Sequence, residues 1–408
     1  MCIVILNRWG HVAEDYAKWL AGTKSNIRMI APTAIAQSLR DSPLYASVHG
    51  VEDYEGDVDI EQTCQSIAAR EPITYIVALQ ESDLYKAARL REFFDLPGQD
   101  PESVEAFRDK VRMKQCLKAA DIEVDLFQPV GSYSEALAFS SRVGYPVVLK
   151  PRDSAGSVDV QIVASADQLG PAIHNMKTCR LGLRSNVMIE RFIAGKLFHV
   201  DGFVLDGDLL YAQAFRFFGS QLKFDESNPR GSVAMDPSSL RTELERFAHR
   251  AAMALPHPKS FAFHAEVFVR PNGTLVLGEI ASRVGGTGIA RAVHLACGYS
   301  PNEIYSRVQA ELSVTSSMKH STGKTVAWGL IARRQGLIAS LPHELPFDWV
   351  TDYVCIVQEG QVMQASTNYF AEFLAILHVQ GDNEQQAMDR FQIAAAWIQD
   401  HVVMTQVQ

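Results

Sequence analysis

Apolar runs alternate with helical periodicity through the first hundred residues. Cys2–Leu6 is an unbroken apolar run and Thr74–Leu79 is largely apolar, and each predicts a buried strand. Residues 84–94 carry apolar side chains at helical spacing and stop before Pro97-Gly98, which predicts a helix. This alternation predicts that residues 1–103 form a small parallel α/β domain.

The next segment combines a helical pattern with a strand, a polar loop and a returning strand. Ser103–Ala120 predicts one capped helix, and Tyr145–Pro151 predicts a buried strand with Lys150 near its end. The loop at 152–157 is rich in small residues, and 158–163 predicts the returning strand. Two strands joined by a polar loop that contains glycine can fold over a chain of phosphates.

The remaining pattern predicts further strands, a helix and three domains. Extended structure is predicted at Ile122–Val130, Val187–Ile193, Phe198–Val204, Thr325–Ile331 and Tyr353–Val357, and a helix at Glu384–Ile398. Ile304–Leu312 is predicted to close the central domain. We therefore expect a mixed α/β and α+β protein with domains at 1–103, 104–312 and 313–408.

The segment from His264 to Arg283 predicts a β-hairpin that carries two carboxylates. Its two-residue turn would be Asn272-Gly273, a pair strongly favoured in tight hairpins. Glu266 and Glu279 then lie directly opposite each other. The full set of predicted pairs is Val269 with Val276, Phe268 with Leu277, and Glu266 with Glu279.

Two opposed carboxylates on a mostly apolar hairpin need a cation or a shared proton. Opposed side chains on an antiparallel pair lie about 4.5–5.5 Å apart at Cβ, where like charges destabilise the pair, and burial adds to that cost. Bound Mg²⁺ is the simplest remedy, whereas two solvated surface charges are the ordinary alternative. A second turn also remains open, in which Pro271 begins a type I turn with a bulge at Gly273. That turn would shift the pairing by one residue and place Glu266 and Glu279 on different faces.

Composition and charge narrow the class of protein. The 408 residues suffice for two to four domains, and 47% are hydrophobic and 21% charged. A net charge of −9, without a run of Lys or Arg, argues against nucleic acid or an anionic membrane as the main partner. The six cysteines include no C-x-x-C pair and predict neither a disulfide framework nor a zinc site. The first apolar run is too short for a signal peptide and no run approaches a membrane span, so we expect a cytoplasmic protein.

These segments, in this order, resemble the ATP-grasp ligases, the fold shared by biotin carboxylase and D-alanine:D-alanine ligase. The resemblance is strongest to L-amino acid ligases and related carboxylate-amine ligases. It runs from Glu81-Ser82-Asp83 through Arg108-Asp109-Lys110 and the hairpin to Gly-Leu-Ile at 329–331, which is nearly the whole chain. It implies an ATP-grasp fold with an N-terminal parallel α/β domain, a two-lobed nucleotide-binding region and a small C-terminal α+β piece.

The resemblance also implies how ATP is bound. Lys110 and Lys150 match the two lysines that hold its phosphates, a role that suits a compact ammonium charge, although either could be a surface lysine. The loop that closes on the triphosphate through backbone N–H groups matches Ser154, Ala155, Gly156 and Ser157. The adenine-binding hinge and the strand beyond it match Glu190, Arg191, Phe192, Ile193 and His199.

The metal and the reacting groups are assigned in the same way. Glu266 and Glu279 match the metal-binding pair, so Mg²⁺, or Mn²⁺ in its place, is the expected metal. Arg283 matches the arginine that contacts the transferred phosphate and the acyl intermediate, and Lys150 is expected to assist it. The candidate substrate contacts are Glu81, Arg216, His264, Arg283, Gly285 and Gly286.

Two positions depart from the pattern of these ligases. Ala281 stands where they usually have Asn, so one metal ligand is lost or replaced. His264 faces Ala281 in the predicted register, and it either replaces that ligand or is a core histidine with satisfied hydrogen bonds. Leu197 stands where many relatives have a ribose-binding Glu, which leaves the ribose contacts open.

The leading interpretation is an ATP-dependent ligase that activates a carboxylate, expected to be that of an amino acid. Mg²⁺ on Glu266 and Glu279 would neutralise charge as the γ-phosphoryl passes to the carboxylate. Arg283 and Lys150 would stabilise charge that develops during the reaction. An amine would then attack the acyl phosphate, so that ADP and phosphate are released. The expected partners are small carboxylate and amine substrates, and a homodimer is the default assembly.

Three other interpretations remain open. A carrier-protein or coenzyme A thiol could take the place of the amine. The absent Asn at position 281 would also fit an ATP-binding sensor without turnover. Gly286-x-Gly288 precedes a predicted helix, as in dinucleotide-binding oxidoreductases, but Arg291 occupies the third glycine position and the βαβ setting is lacking.

Overall fold

The structure is a computed structural model that describes residues 1–176, 185–219, 229–314, 323–364 and 373–405. Within these residues the strands are β1 Cys2–Leu6, β2 Asn26–Pro32, β3 Ser47–Val51, β4 Ile73–Ala78, β5 Phe127–Val130, β6 Val147–Pro151, β7 Gln161–Val163, β8 Val187–Arg191, β9 Lys196–Leu205, β10 Asp208–Phe218, β11 Arg230–Ala234, β12 Phe261–Val269, β13 Leu275–Ala281, β14 Thr325–Ala332, β15 Gly336–Ser340, β16 Val350–Cys355, β17 Val362–Met363, β18 Phe373–Gly381 and β19 Val403–Thr405. The helices are α1 Asp15–Trp19, α2 Thr33–Ser38, α3 Val58–Ala68, α4 Leu84–Phe94, α5 Pro101–Arg108, α6 Lys110–Ala119, α7 Tyr133–Val143, α8 Ala166–Asn175, α9 Ser239–Met253, α10 Ile289–Cys297, α11 Pro301–Gln309 and α12 Glu384–His401, with 3₁₀ turns at Gly10–Val12 and Glu81–Asp83.

The N-terminal segment folds as the predicted parallel α/β unit. Its strands are ordered β3-β2-β1-β4 and all are parallel. Every residue of β1 is buried, because one face of the sheet packs against α1 and the other against α3 and α4. The strand order reverses between β1 and β4, and ligands of such sheets bind beyond the carboxyl ends of the strands at this reversal. The turn Glu81–Asp83 directly follows β4 there.

Two further sheets, both antiparallel, carry Lys150, Glu190 and the acidic pair. The smaller sheet has the order β5-β8-β6-β7, and it carries Lys150 on β6 and Glu190 on β8. The larger sheet has the order β13-β12-β9-β10-β11-β14-β18-β16. Its β12–β13 edge is the predicted hairpin, so the acidic pair lies at one end of this sheet.

Besides shifts of up to five residues at the ends of other elements, two of the predicted elements differ from the structure. The single helix predicted over 103–120 is two helices, because Asp109 is extended with ψ of 104° and ends α5 before α6 begins. The returning strand predicted from 158 begins only at Gln161. Ser157 and Asp159 have φ of 60° and 56°, a left-handed conformation that a strand cannot contain.

The large sheet continues past residue 312. Strand β11 pairs with β14, and β18 and β16 extend the sheet beyond it, while α12 packs on β14 and β18. The domain boundaries at 103 and 312 stay predictions. Among the helices in the described part of the chain, none has the length and apolar character needed to cross a bilayer.

Candidate active site

The acidic pair lies where the hairpin pattern predicts it. Glu266 on β12 pairs with Glu279 on β13, and His264 pairs with Ala281. The two carboxyl groups therefore project from the same face of the hairpin, as opposed residues do. The other residues of these two strands are mostly buried.

Nearer the turn the predicted register is wrong by one residue. Val269 pairs with Leu275, and Phe268 pairs with Val276. The turn is the alternative one, since Gly273 has φ of 85° and its N–H donates to the Arg270 carbonyl at 2.8 Å. The register shifts back between Glu266 and Val267, which restores the opposition of the carboxylates.

The two carboxyl groups differ in their electrostatics. Burial and the neighbouring Glu279 raise the pKa of Glu266 to about 7. Burial also opposes the ionisation of Glu279, but Lys110 and Lys150 outweigh it and lower the pKa of this carboxyl. Lys110 Nζ lies 3.4 Å from Glu279 Oε2. The site therefore holds one firmly ionised carboxylate beside one that is easily protonated, an arrangement that a bound cation would stabilise.

Lys110 is positioned by the break between α5 and α6. The Asp109 side chain caps α6 by accepting from the N–H groups of Val111 and Arg112 at 2.9 and 3.2 Å. Lys110 is thus the first residue of α6, and its Nζ donates to the Ser154 carbonyl at 2.5 Å. One predicted phosphate lysine is thereby brought to the start of the small-residue loop.

The second predicted phosphate lysine is paired with the hinge glutamate. Lys150 Nζ lies 2.7 Å from Glu190 Oε1, and Lys114 Nζ lies 3.1 Å from Glu190 Oε2. Burial opposes the ionisation of Glu190, but the two lysines dominate and hold its pKa at about 2. Lys114 is fully buried, whereas the Lys150 side chain keeps 10% exposure. The Glu190 carboxylate therefore anchors two lysines in this structure.

The small-residue loop stands partly in solvent. Ser154 and Ala155 are half-buried, while Gly156 and Ser157 are exposed. Gly156 and Ser157 have φ of 66° and 60°, so the backbone turns sharply at the tip of the loop. Such successive turns leave backbone N–H groups open to an anion.

The predicted hinge residues Arg191, Phe192 and Ile193 lie in different surroundings. The Arg191 side chain binds Asp125, with Nε 2.6 Å from Oδ1, and the Phe192 N–H donates to the Pro146 carbonyl at 3.2 Å. Ile193 is buried. Arg191 and Phe192 also line a cavity of about 340 Å³ between the hinge and the hairpin turn.

Arg283 is held by a residue of the N-terminal sheet. Its Nε donates to Glu81 Oε2 and its Nη1 to the Val284 carbonyl, the latter at 2.9 Å. Arg108 Nη1 donates to the other oxygen of Glu81 at 2.7 Å. Burial opposes the ionisation of Glu81, but the two guanidinium groups keep its pKa at about 2. Glu81 and Arg283, which are far apart in sequence, thus form an ion pair.

His264 belongs to a buried chain of hydrogen bonds. Its Nδ1 lies 2.9 Å from Asp201 Oδ1, and Asp201 Oδ2 lies 2.6 Å from His199 Nδ1. His199 Nε2 lies 2.7 Å from Ser232 Oγ, which also accepts from Trp328 Nε1 at 2.7 Å. Ligand atoms of His199, Asp201 and His264 lie within 4.8 Å of one another, close enough for a metal. Hydrogen bonds pair His264 Nδ1, both oxygens of Asp201 and both ring nitrogens of His199 without a metal. Whether His264 replaces the usual Asn or is a core histidine stays a prediction.

The other candidate substrate residues lie in two places. Gly285 packs against Asp201, since a Cβ at this position would lie 2.4 Å from Asp201 Oδ1, and Gly286 has open space beside it. Arg216 binds Glu384 at the start of α12, with Nη2 3.2 Å from the carboxylate. The structure therefore brings Gly285 to the histidine chain and places Arg216 at the junction with α12.

Three further residues of this site were not predicted as site residues. Arg108, Lys114 and Asp201 each contact a residue that was. A signal was available for Lys114, since it lies four residues after Lys110 and therefore on the same side of a helix. Signals were available for the other two as well, since Arg108 belongs to the Arg108-Asp109-Lys110 motif and Asp201 lies two residues after His199, on the same face of a strand.

Comparison with known proteins identifies the fold. Residues 143–291 match the family described as the ATP-grasp domain. The L-arginine-specific L-amino acid ligase of Bacillus subtilis is 26% identical over 262 residues, which are 62% of this chain and 62% of that protein. The D-alanine–D-alanine ligase of Gloeobacter violaceus is 28% identical over 214 residues, which are 49% of this chain and 67% of that protein. The chain therefore spans less than two thirds of the first of these relatives.

A solved structure extends the likeness to the whole fold. The L-amino acid ligase from Bacillus licheniformis superimposes with a TM-score of 0.80 at 15% identity, over 100% of this chain and 99% of that one. At this identity the likeness concerns the fold. The chain thus has the ATP-grasp fold, its residues 143–291 match the ATP-grasp domain family, and it resembles L-amino acid ligases in both sequence and structure.

Proposed function

We propose that this protein is an ATP-dependent, ADP-forming ligase that activates a carboxylate as an acyl phosphate and joins it to an amine. The observation that carries the proposal is the pair Glu266 and Glu279, opposed on one hairpin and faced by Lys110. Two carboxylates beside a lysine form a site for a divalent cation and a phosphate chain together. The ATP-grasp family uses ATP and a divalent metal, which agrees with this chemistry.

The acidic pair has the donor set that Mg²⁺ or Mn²⁺ requires. Both cations bind carboxylate oxygens, and the raised pKa of Glu266 marks a charge that lacks compensation in the protein alone. Glu266 and Glu279 would hold the metal, which when bound neutralises charge on the phosphates. His264 is committed to Asp201 through Nδ1, so the position usually held by Asn is not replaced through that atom.

The lysines and the loop would bind and enclose the triphosphate. Lys110 reaches both Glu279 and the loop at Ser154, so its charge lies between the metal pair and the phosphate loop. Lys150, anchored by Glu190, would contact the phosphates from the small sheet. Backbone N–H groups at Ser154–Ser157 would close over the γ-phosphate and exclude water, since hydrolysis of an acyl phosphate wastes ATP.

Arg283 would stabilise the reacting oxygens. Its guanidinium is fixed on one edge by Glu81 and by the Val284 carbonyl, and among the described residues its Nη2 group has no hydrogen-bond partner. A fixed cation acts most strongly on charge that develops during phosphoryl transfer and in the tetrahedral intermediate. The amine nitrogen then bonds to the acyl carbon and the C–O bond to phosphate breaks, so that an amide forms while inorganic phosphate and one amine proton are released.

Product analysis tests the reaction. We expect ADP and inorganic phosphate, with one oxygen-18 atom passing from a labelled substrate carboxylate into the phosphate. Hydroxylamine should intercept the intermediate as a hydroxamate. AMP with pyrophosphate, or unlabelled phosphate under full turnover, would contradict the proposal.

A substrate screen defines the acid and the acceptor. The twenty amino acids, singly and in pairs, would be screened for phosphate release, with arginine of special interest because of the specificity named for the Bacillus subtilis relative. A thiol acceptor would be tested in parallel with coenzyme A. If phosphate release requires the thiol, then a thiol and not an amine is the acceptor. The cytoplasmic location and the homodimer are further predictions, and sedimentation of the purified chain tests the dimer.

A further inference from the structure

Ser282, which directly precedes Arg283, is held through both its side chain and its backbone. The residue is completely buried. Gln99 Nε2 donates to Ser282 Oγ at 2.7 Å, and the Tyr305 hydroxyl donates to the Ser282 carbonyl at 3.2 Å. Gln99 belongs to the N-terminal segment and Tyr305 to α11, so two separate parts of the chain fix the backbone from which Arg283 projects.

The orientation of the Gln99 amide is determined by its neighbours. Gln99 Nε2 also lies 3.0 Å from Ser103 Oγ, and that hydroxyl donates its own hydrogen to the Pro256 carbonyl at 2.8 Å. Ser103 Oγ can therefore only accept, so Gln99 must present its NH₂ group and not its carbonyl. Its two amide hydrogens are then divided between Ser103 and Ser282. A rotated amide would lose the bond to Ser103.

A buried arginine supports Gln99 from the other side. The Arg91 guanidinium donates to the carbonyls of Gln99 and Ile76 at 3.3 and 2.7 Å, and to Gln309 Oε1 at 2.8 Å. Arg91 is 4% exposed, and within the described residues no carboxylate pairs with it. Burial lowers the pKa of Arg91 to about 10. Burying an uncompensated charge is costly, so this arrangement is unfavourable as a device for stability alone.

We propose that Gln99 and Tyr305 are positioning residues for Arg283, acting through Ser282. The inference rests on the proposed ligase function, in which Arg283 contacts the transferred phosphoryl group. The Glu81 contact sets one edge of the guanidinium, and the Ser282 backbone sets the point from which the side chain begins. Misplacing a reacting group by about 1 Å can lower the rate about 100-fold. The hydrogen bonds of Ser282 therefore determine kcat while the ATP site itself is unaffected.

Removing the hydrogen-bonding groups separately tests the positioning role. Ser282→Ala and Tyr305→Phe each delete one hydrogen bond at Ser282, and Gln99→Met deletes the amide bonds to Ser282 and Ser103, all with little change of volume. Ser140→Ala is the matched control, since Ser140 is also completely buried and its Oγ donates to the Ala136 carbonyl at 2.8 Å within α7. We expect Ser282→Ala and Gln99→Met to lower kcat at least tenfold with the Kd of ATP within twofold of the wild type. Ser140→Ala should change only the free energy of unfolding.

Repeating the substitutions in a second variant distinguishes a positioning role from a general loss of structure. In an Arg283→Lys protein the same substitutions should have no further effect on single-turnover ADP release, because they act through the arginine. An equal loss in both backgrounds would overturn the inference, as would an unchanged kcat in Ser282→Ala and Gln99→Met. If Gln99→Met does not fold, Ser282→Ala decides alone, since it makes the smaller change.

An NMR measurement keeps this test distinct from the ligase proposal. The Nε–H resonance of Arg283, assigned by its absence in Arg283→Lys, should shift or broaden in Ser282→Ala and stay unchanged in Ser140→Ala. This signal needs no turnover. A wild-type protein that turns over no acid and amine would therefore contradict the ligase function, whereas an unperturbed Arg283 signal would contradict the positioning role.

Discussion

Glu266 lies opposite Glu279 although the hairpin that carries them changes register one residue away. Between the turn and Val267 the pairing follows the register set by the turn at Gly273. From Glu266 onward the pairing is shifted by one residue relative to that register. The extra residue is accommodated on β13 at Gly278, between Leu277 and Glu279. A bulge of this kind redirects the residues beside it and is common next to active sites. The acidic pair therefore depends on the bulge as well as on the turn.

A side chain at Gly278 is expected to disturb the acidic pair. A Cβ there would lie 2.9 Å from the Phe268 ring and 3.3 Å from the Glu266 carbonyl oxygen. We expect Gly278→Ala to destabilise the fold by about 1–3 kcal/mol and to weaken Mg²⁺-dependent ATP binding at least fivefold. Calorimetric ATP titrations at several Mg²⁺ concentrations measure this.

Gly273→Ala is the matched control for the bulge. Gly273 has φ of 85° and open space beside it, so alanine strains only the turn, by about 1–2 kcal/mol. It should leave ATP affinity near that of the wild type. Equal ATP affinities in the two variants would show that the bulge does not control the acidic pair.

The hairpin shows how much of this site a sequence can predict. The opposition of Glu266 and Glu279 follows from the count of residues between them, and it was predicted correctly. The pairing between the turn and the carboxylates was predicted incorrectly. Two one-residue shifts, one at the turn and one at Gly278, cancel each other. Local pattern fixes which strands pair, whereas bulges depend on contacts such as that between Gly278 and the Phe268 ring.

Contacts between distant segments were beyond the reach of the pattern. The helix predicted over 103–120 has the correct periodicity, yet Asp109 ends one helix and caps the next, and this break places Lys110. An aspartate inside an amphipathic pattern is compatible with either outcome. Likewise, Glu81 was a candidate only through the family resemblance, since its partners Arg108 and Arg283 are distant in sequence.

The stability of the metal-free protein should fall as pH rises from about 4.5 to 7 because of Glu266. Its pKa is raised in the folded state to about 7, so the folded state retains a proton that the unfolded state loses near pH 4.5. Between these values the group contributes a slope of up to about −1.4 kcal/mol per pH unit to the free energy of unfolding. Denaturant unfolding in EDTA from pH 5 to 8 measures the slope.

Glu266→Gln should flatten that slope and make the metal-free protein more stable at pH 8. The same substitution should remove most of the stabilisation that Mg²⁺ gives to the wild type. Parallel pH profiles for the variant and the wild type would count against a buried, strained carboxylate at this position.

The two lysines on Glu190 should respond differently to replacement. Each of Lys150→Met and Lys114→Met leaves Glu190 with one ammonium partner, so neither creates an unpaired buried carboxylate. Lys150 keeps some exposure and is expected to reach the phosphates, whereas Lys114 is fully buried. We expect Lys150→Met to weaken ATP binding at least tenfold, about 1.4 kcal/mol, and Lys114→Met to weaken it less than threefold. A fluorescent ATP analogue measures both, and equal affinities would remove Lys150 from the phosphate site.

Glu81 should be required both for stability and for turnover. Its carboxylate accepts from Arg108 on one oxygen and from Arg283 on the other, and glutamine would present an NH₂ group to one of these guanidinium groups. We expect Glu81→Gln to lower the free energy of unfolding at pH 7 by about 2 kcal/mol and kcat at least tenfold. Glu55→Gln is the control, because Glu55 also binds an arginine, Arg8, but is 76% exposed, and its loss should cost about 0.5 kcal/mol or less.

The pH dependence of the Glu81 effect follows from the direction of its pKa shift. The folded pKa is held at about 2, so the ionised carboxylate stabilises the fold fully above the unfolded value near pH 4.5. That contribution is lost as pH falls from about 4.5 to 2. The difference in unfolding free energy between wild type and Glu81→Gln should therefore be largest at neutral pH and shrink steadily below pH 4.5. Urea unfolding at pH 7, 4 and 3 measures it, and a difference that stays constant over this range would mean that Glu81 is not ionised between the two arginines.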